Sequence, residues 1–347
     1  MHEKYINPSI PTEFKNILNS DEYSFLHSDR FKYTPIIYLT LGGSKAYGTN
    51  NENSDTDIRG AFIESPYSLL THDTSIDDQF NDVPTDTVLY SLRKFIKLLT
   101  SCNPNVIEML GTKDEHILFM HPIGKLLREN SELFLSKRAY MTFAGYATAQ
   151  LRRLENALAR DQYDQSDKEK HILKSLNAEK LLTDKAFKDL NKNNNLELYI
   201  DDSRREDVDK EIFVNMHIEN VPLRYAIAKF NGMNNMLRNY DKINHRNRKK
   251  DENHLNKHAM HLIRLYLMGI DILDKKEIHT YRDKEHDLLM SIRNGEMPFA
   301  DVFKLQKQLE EKMDHIFMTS DLPDEPRTKD INDLMFKIYI NYIACYS

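Results

Sequence analysis

The chain has 347 residues, 40% of them hydrophobic, and carries 48 basic side chains against 54 acidic ones, a net charge of −6. That length predicts about two domains at roughly 150 residues each, the apolar fraction excludes global disorder, and the charge balance excludes a polycation, so any nucleic-acid contact has to come from a local basic patch. Two cysteines, Cys102 and Cys345, exclude a disulfide framework and a cysteine-rich metal site. With no apolar leader and no run near the roughly 20 apolar residues of a membrane span, a reducing cytoplasm is the expected compartment.

In chain order, residues 35–43 (PIIYLTLGG) are an apolar, β-branched run closed by a glycine pair, which predicts a buried strand and a sharp turn. Residues 57–64 and 86–90 predict two further short strands, and the second runs into a helix with Leu92, Phe95, Ile96 and Leu99 at helical spacing. Helix then dominates: 126–134, 139–158 and 172–190 carry 3.6-residue patterns, with Ser166 and Glu169 as a capping box before the last of them. The polar stretch 191–207 has no evident period and is expected to be a loop. A basic run at 242–250 follows, then helices over 255–272 and 334–344. The expected architecture is α+β: a small α/β module over 30–115, followed by a mostly α-helical region over 116–347.

Only ten glycines occur, well under half the usual frequency of about 7%. Four of them (Gly42, Gly43, Gly48 and Gly60) fall in one segment, LTLGGSKAYGTNNENSDTDIRG. A glycine pair lets the backbone turn tightly and approach a polyphosphate with no Cβ in the way. The amides that follow, with the Ser44 hydroxyl, can donate to phosphate oxygens. In extended chain Asp55 and Asp57 project from one face, and two carboxylates suit Mg²⁺, a hard ion that takes oxygen ligands and substrate phosphates. A third acid from a neighbouring strand would complete a two-metal site. Asp86, which opens the apolar strand TVLY, is the favoured candidate over Asp77, Asp78 and Asp82, which lie in a polar stretch.

The order strand, Gly-Gly-Ser, short helix, D-x-D and a further acid opening a strand resembles the nucleotidyltransferases of the DNA polymerase β superfamily. It is closest to the branch associated with RNA-repair ligases. The segments DTVLYSLRKFIKLLTSCNPNVIEML, FLSKRAYMTFAGYATAQLRRL, KHAMHLIRLYLMG and SIRNGE also look like that branch, spreading the resemblance over roughly 35–300. The resemblance implies that Gly42, Gly43 and Ser44 hold the triphosphate. It also implies that Asp55, Asp57 and Asp86 bind Mg²⁺ (or Mn²⁺), Asp86 also orienting or deprotonating the attacking hydroxyl. Thr56, between the paired acids, departs from the apolar residue common in the wider superfamily. Lys257, His261 and Arg264 share one helix face and would, on the same resemblance, present positive charge to the nucleotide; a solvated basic helix edge is the competing reading.

The implied activity is Mg²⁺-dependent transfer of an NMP from an NTP to an acceptor hydroxyl with release of pyrophosphate. An RNA 3′-end is the first expected acceptor and a protein side chain or small molecule the next; the alternatives are a non-catalytic nucleotide- or RNA-binding module and, last, a metal-dependent nuclease or phosphotransferase using the same acids. The helical region would bind the acceptor, with Lys242, Arg246, Arg248, Lys249 and Lys250 as an RNA footprint or a solvated loop. Nothing in the sequence fixes the nucleotide or the oligomeric state.

Overall fold

A computed structural model describes residues 5–52, 54–71, 78–162, 165–204, 209–246 and 252–344. Two short N-terminal helices, α1 (Thr12–Leu18) and α2 (Arg30–Tyr33), precede the first strand, β1 (Ile36–Leu41), in which all six residues are buried. The glycine turn leads into α3 (Gly43–Tyr47), and the chain returns as β2 (Ile58–Phe62), followed by α4 (Pro66–Leu70). A hairpin, β3 (Gln79–Asp82) and β4 (Thr87–Ser91), runs into α5 (Leu92–Thr100), where the Ser91 hydroxyl accepts from the Lys94 amide as an N-cap. Then come α6 (Pro104–Leu110), β5 (Ile117–Met120) and α7 (Pro122–Glu129).

These five strands form one mixed sheet in the order β3-β4-β2-β1-β5, with β2 and β4 parallel and the other pairs antiparallel. Successive strand residues face opposite sides. Ile58 and Phe62 of β2 enter a cluster with Phe14, Leu18, Leu26 and Phe31 of the N-terminal segment, so Asp57 and Arg59 face the other side. The N-terminal segment, for which no element was predicted, therefore packs on one face of the sheet.

Long helices follow: α8 (Arg138–Gln162), α9 (Gln165–Leu190), then strands β6 (Asn195–Asp202) and β7 (Lys210–His217), and helices α10 (Leu223–Arg246), α11 (Glu252–Lys275), α12 (His286–Arg293), α13 (Phe299–Thr319) and α14 (Thr328–Ala344). The α+β class holds, with three corrections to its parts. Residues 195–202 are a strand of an antiparallel hairpin, not a loop: Leu196, Leu198 and Ile200 alternate with polar neighbours, and Leu196 is buried. The helix expected over 126–134 is instead α7 followed by a 3₁₀ turn at Ser131–Phe134. Ser166 lies inside α9 instead of capping it.

The chain forms two compact units: residues 1–150 with 256–347, and residues 151–255. The boundary expected at 115/116 thus falls inside the first unit. Lys242 and Arg246 lie in α10 with their side chains outside the described set, and Arg248, Lys249 and Lys250 fall outside the described residues.

Candidate active site

The turn after β1 is built around the second acid of the D-x-D pair. The Gly42 amide donates to the Asp57 carbonyl at 2.8 Å. Gly43 has φ of +55°, and a Cβ there would overlap the Asp57 carboxylate. Gly43 is therefore required twice, by backbone conformation and by the closeness of the acid. Thr56, the polar residue between the acids, accepts a hydrogen bond from Lys45 Nζ at 2.6 Å, which ties the D-x-D segment to α3. Ser44 is half-buried in the first turn of α3.

The third acid is set by strand register. In the parallel pair, Ile58 of β2 is opposite Thr87 of β4, so the residues just before them, Asp57 and Asp86, end up side by side. Asp86 closes the β3–β4 turn with φ of +46°, a conformation aspartate tolerates better than most side chains. Burial and a hydrogen bond with Asp86 push the Asp57 carboxyl up to about 6. That same hydrogen bond, with Arg59, pulls Asp86 down against a smaller effect of burial. Below about pH 6 the pair therefore keeps a proton on the more buried Asp57. Asp55 is exposed. Among the described residues no group of three or more His, Cys, Asp or Glu side chains is gathered into a preformed metal cluster.

Two cations face the acid pair. Arg59, two residues after Asp57 on the same face of β2, is 3.2 Å from Asp86 Oδ1 and 3.7 Å from Asp57 Oδ1, and also donates to the Asp86 carbonyl. Lys257, exposed on α11, is close enough that its charge lowers the pKa of both acids. Sequence reasoning missed Arg59, although its period-2 spacing from Asp57 was readable.

The other two members of the expected cationic face are not free cations. Arg264 is 3% exposed and donates to Glu108 Oε2 at 2.9 Å, its guanidinium lying 3.6 Å from the Tyr47 ring centroid. His261 meets the edge of the same ring, and burial, Arg264 and Lys257 hold its pKa well below the usual value, so it is neutral. The helix face predicted to carry three charges toward phosphate presents Lys257, a neutral imidazole and a matched ion pair. Glu108 is buried and ion-paired with Arg264.

A glycine turn against a D-x-D segment, with a third acid on a parallel neighbouring strand of a small mixed sheet, defines a polymerase-β-type nucleotidyltransferase domain. The chain belongs to the RlaP family, the RNA repair pathway DNA polymerase beta family, whose model matches residues 7–186, just over half of its length. The match begins in the N-terminal segment that carried no recognised motif and stops short of KHAMHLIRLYLMG and SIRNGE. No curated protein and no solved structure matches the chain. Among the described residues no helix is long and apolar enough to cross a membrane.

Proposed function

We propose that this chain is a divalent-metal-dependent nucleotidyltransferase of RNA repair that moves an NMP from an NTP to an acceptor hydroxyl, with an RNA 3′-end as the first acceptor. The observation that carries this reading is the β2–β4 register, which sets Asp57 beside Asp86 against the glycine turn. Family membership supports the nucleic-acid context.

The donor chemistry fits Mg²⁺ (or Mn²⁺). Two adjacent carboxylates, one keeping its proton up to about pH 6, are an all-oxygen pair whose repulsion a divalent ion would relieve in place of the proton. Asp57 and Asp86 would hold the ion, with Asp55 joining from the same extended segment. When bound, it supplies charge neutralisation at the transferred phosphoryl group and activation of the acceptor hydroxyl. The Gly42–Gly43 backbone and Ser44 bind the triphosphate, and Lys257 offers positive charge to its oxygens. The acceptor oxygen bonds to the α-phosphorus, the bond from that phosphorus to the bridging oxygen breaks, pyrophosphate leaves, and the acceptor proton passes to Asp86.

The test incubates the protein with each α-³²P-labelled NTP, Mg²⁺ and RNA of defined 3′-ends beside total cell protein, with an Asp55→Asn/Asp57→Asn variant as control. Label entering RNA only when the acids are intact is the expected result. Label entering protein moves the acceptor to a side chain. Absence of both incorporation and Mg²⁺-NTP binding would overturn the reading.

A further inference from the structure

Beneath the glycine turn lies a set of contacts that the proposed chemistry does not use. Tyr47, the last residue of α3, donates its hydroxyl to Glu108 Oε1 at 2.8 Å. The other Glu108 oxygen accepts from Arg264 at 2.9 Å, and Arg264 returns to Tyr47 by stacking on its ring. Each of the three thus touches the other two, and all are buried. The Glu108 backbone carbonyl accepts from Thr280 and Thr112, which fixes the acid's own main chain. Gly48, next along from Tyr47, is left-handed (φ +71°), has its carbonyl 2.9 Å from a His286 ring nitrogen, and packs so closely on Tyr281 that a Cβ would overlap that ring.

The five residues of α3 are therefore held at their C-terminal end by residues 264–286, which lie beyond the segment matched by the family. A five-residue helix has too few internal hydrogen bonds to hold itself, so its position has to be set from outside. Arg264 suits the task because its planar guanidinium can stack and form an ion pair at once.

We propose that Tyr47, Glu108 and Arg264 are positioning residues: a buried triad through which α11 and the segment at 280–286 fix α3, and with it the Gly42–Ser44 turn, in the geometry that binds nucleotide. The inference rests on the nucleotide-binding reading of that turn, but its first readout needs no nucleotide. None of the three need touch the substrate.

The informative variants are Tyr47→Phe, which keeps the ring and removes the hydroxyl, and Arg264→Lys, which keeps the charge and loses the stack. Both are gentler than deleting one partner of a buried ion pair, which risks unfolding. The first measurement is amide hydrogen exchange in the full chain. Exchange over 43–49 is expected to quicken at least tenfold in both variants while 36–41 of β1 keeps its protection. The second is equilibrium binding of ATP with Ca²⁺ in place of Mg²⁺, where the dissociation constant is expected to rise five- to tenfold. Unchanged exchange over 43–49, or faster exchange spread equally through β1, overturns the triad as a local clamp. Faster local exchange with unchanged ATP affinity overturns its role in nucleotide positioning. A wild type that binds no nucleotide while both variants loosen 43–49 instead sinks the functional reading of the turn, and the nucleotide-positioning claim with it.

Discussion

Gly42 and Gly43 are adjacent, yet a methyl group would cost them differently. At Gly42 φ is −118°, and an added Cβ would meet Arg59 Cγ at 2.8 Å, part of a flexible side chain that can move. At Gly43 the backbone is left-handed and the obstacle is the Asp57 carboxylate. Gly43→Ala is expected to destabilise the protein by about 1–3 kcal/mol and to abolish transfer by displacing the acid. Gly42→Ala should stay within about 1 kcal/mol. Urea unfolding of the two variants checks this, and equal losses would contradict the assignment. Asp57 itself is an acid whose folded pKa, about 6, lies above its unfolded value. It therefore supports the fold at low pH, and that support is lost as pH rises from about 4 through 6. At pH 7.5 without metal, Asp57→Asn should melt higher than wild type by the equivalent of roughly 1–3 kcal/mol, the gap closing near pH 4, while nucleotidyl transfer is lost. Calorimetry at the two pH values decides it. At this scale the closeness of Asp57 to the glycine pair was legible, because a tight turn after one strand and an acid opening the next bring the two together, while Asp55 is exposed. Arg59 was equally available from period-2 spacing, but an isolated arginine carries no such restriction.

Elements differ in how far their patterns travel through sequence. The prediction that Asp86 joins Asp57 needed only that both acids open strands; the parallel register does the rest. The β6–β7 hairpin was hidden because its alternation spans only Leu196, Leu198 and Ile200, flanked by polar runs, NKNNN before and DDSRRED after. Helix α11 shows the converse case, a pattern seen and its chemistry misjudged. The spacing of Lys257, His261 and Arg264 put them on one face correctly, but burial decides charge state, and burial comes from partners remote in sequence. Glu108 is 156 residues from Arg264 and 61 from Tyr47. His261, with Arg264, Lys257 and His258 on its own helix, Arg293 on α12 and the Tyr47 ring on α3, has its pKa lowered first by burial and then by those charges. A base with a depressed folded pKa binds fewer protons folded than unfolded, so stability is full above the unfolded value of about 6.5 and falls as pH drops below it. The melting temperature of wild type should therefore decline as pH falls below about 6.5, and His261→Gln should flatten that limb. A parallel decline in the variant would assign the effect elsewhere.

The first compact unit is assembled from two stretches of chain, 1–150 and 256–347, with 151–255 forming the second. The seam of the first unit is closed locally: Gln150 on α8 and His258 on α11 are 2.9 Å apart. Sequence periodicity reports helices and not which of them return to a distant sheet, so the expected boundary at residue 115 could not reveal this arrangement. A stop after residue 150 would remove Arg264, leaving Glu108 a buried charge without its ion-pair partner, a situation that costs several kcal/mol. Such a truncation is expected to be insoluble or unfolded. Joining 150 to 256 through a Gly/Ser linker of about six residues keeps the triad, the N-terminal cover and all the predicted acids. This shortened protein is expected to unfold in one cooperative transition and to bind Mg²⁺-ATP with wild-type affinity, because every residue assigned to nucleotide binding lies in the retained unit. If residues 151–255 engage the acceptor, it should also lose transfer to RNA while keeping nucleotide affinity. Loss of both would show that the inserted unit supports the active site, and retention of both would place acceptor binding in the first unit as well.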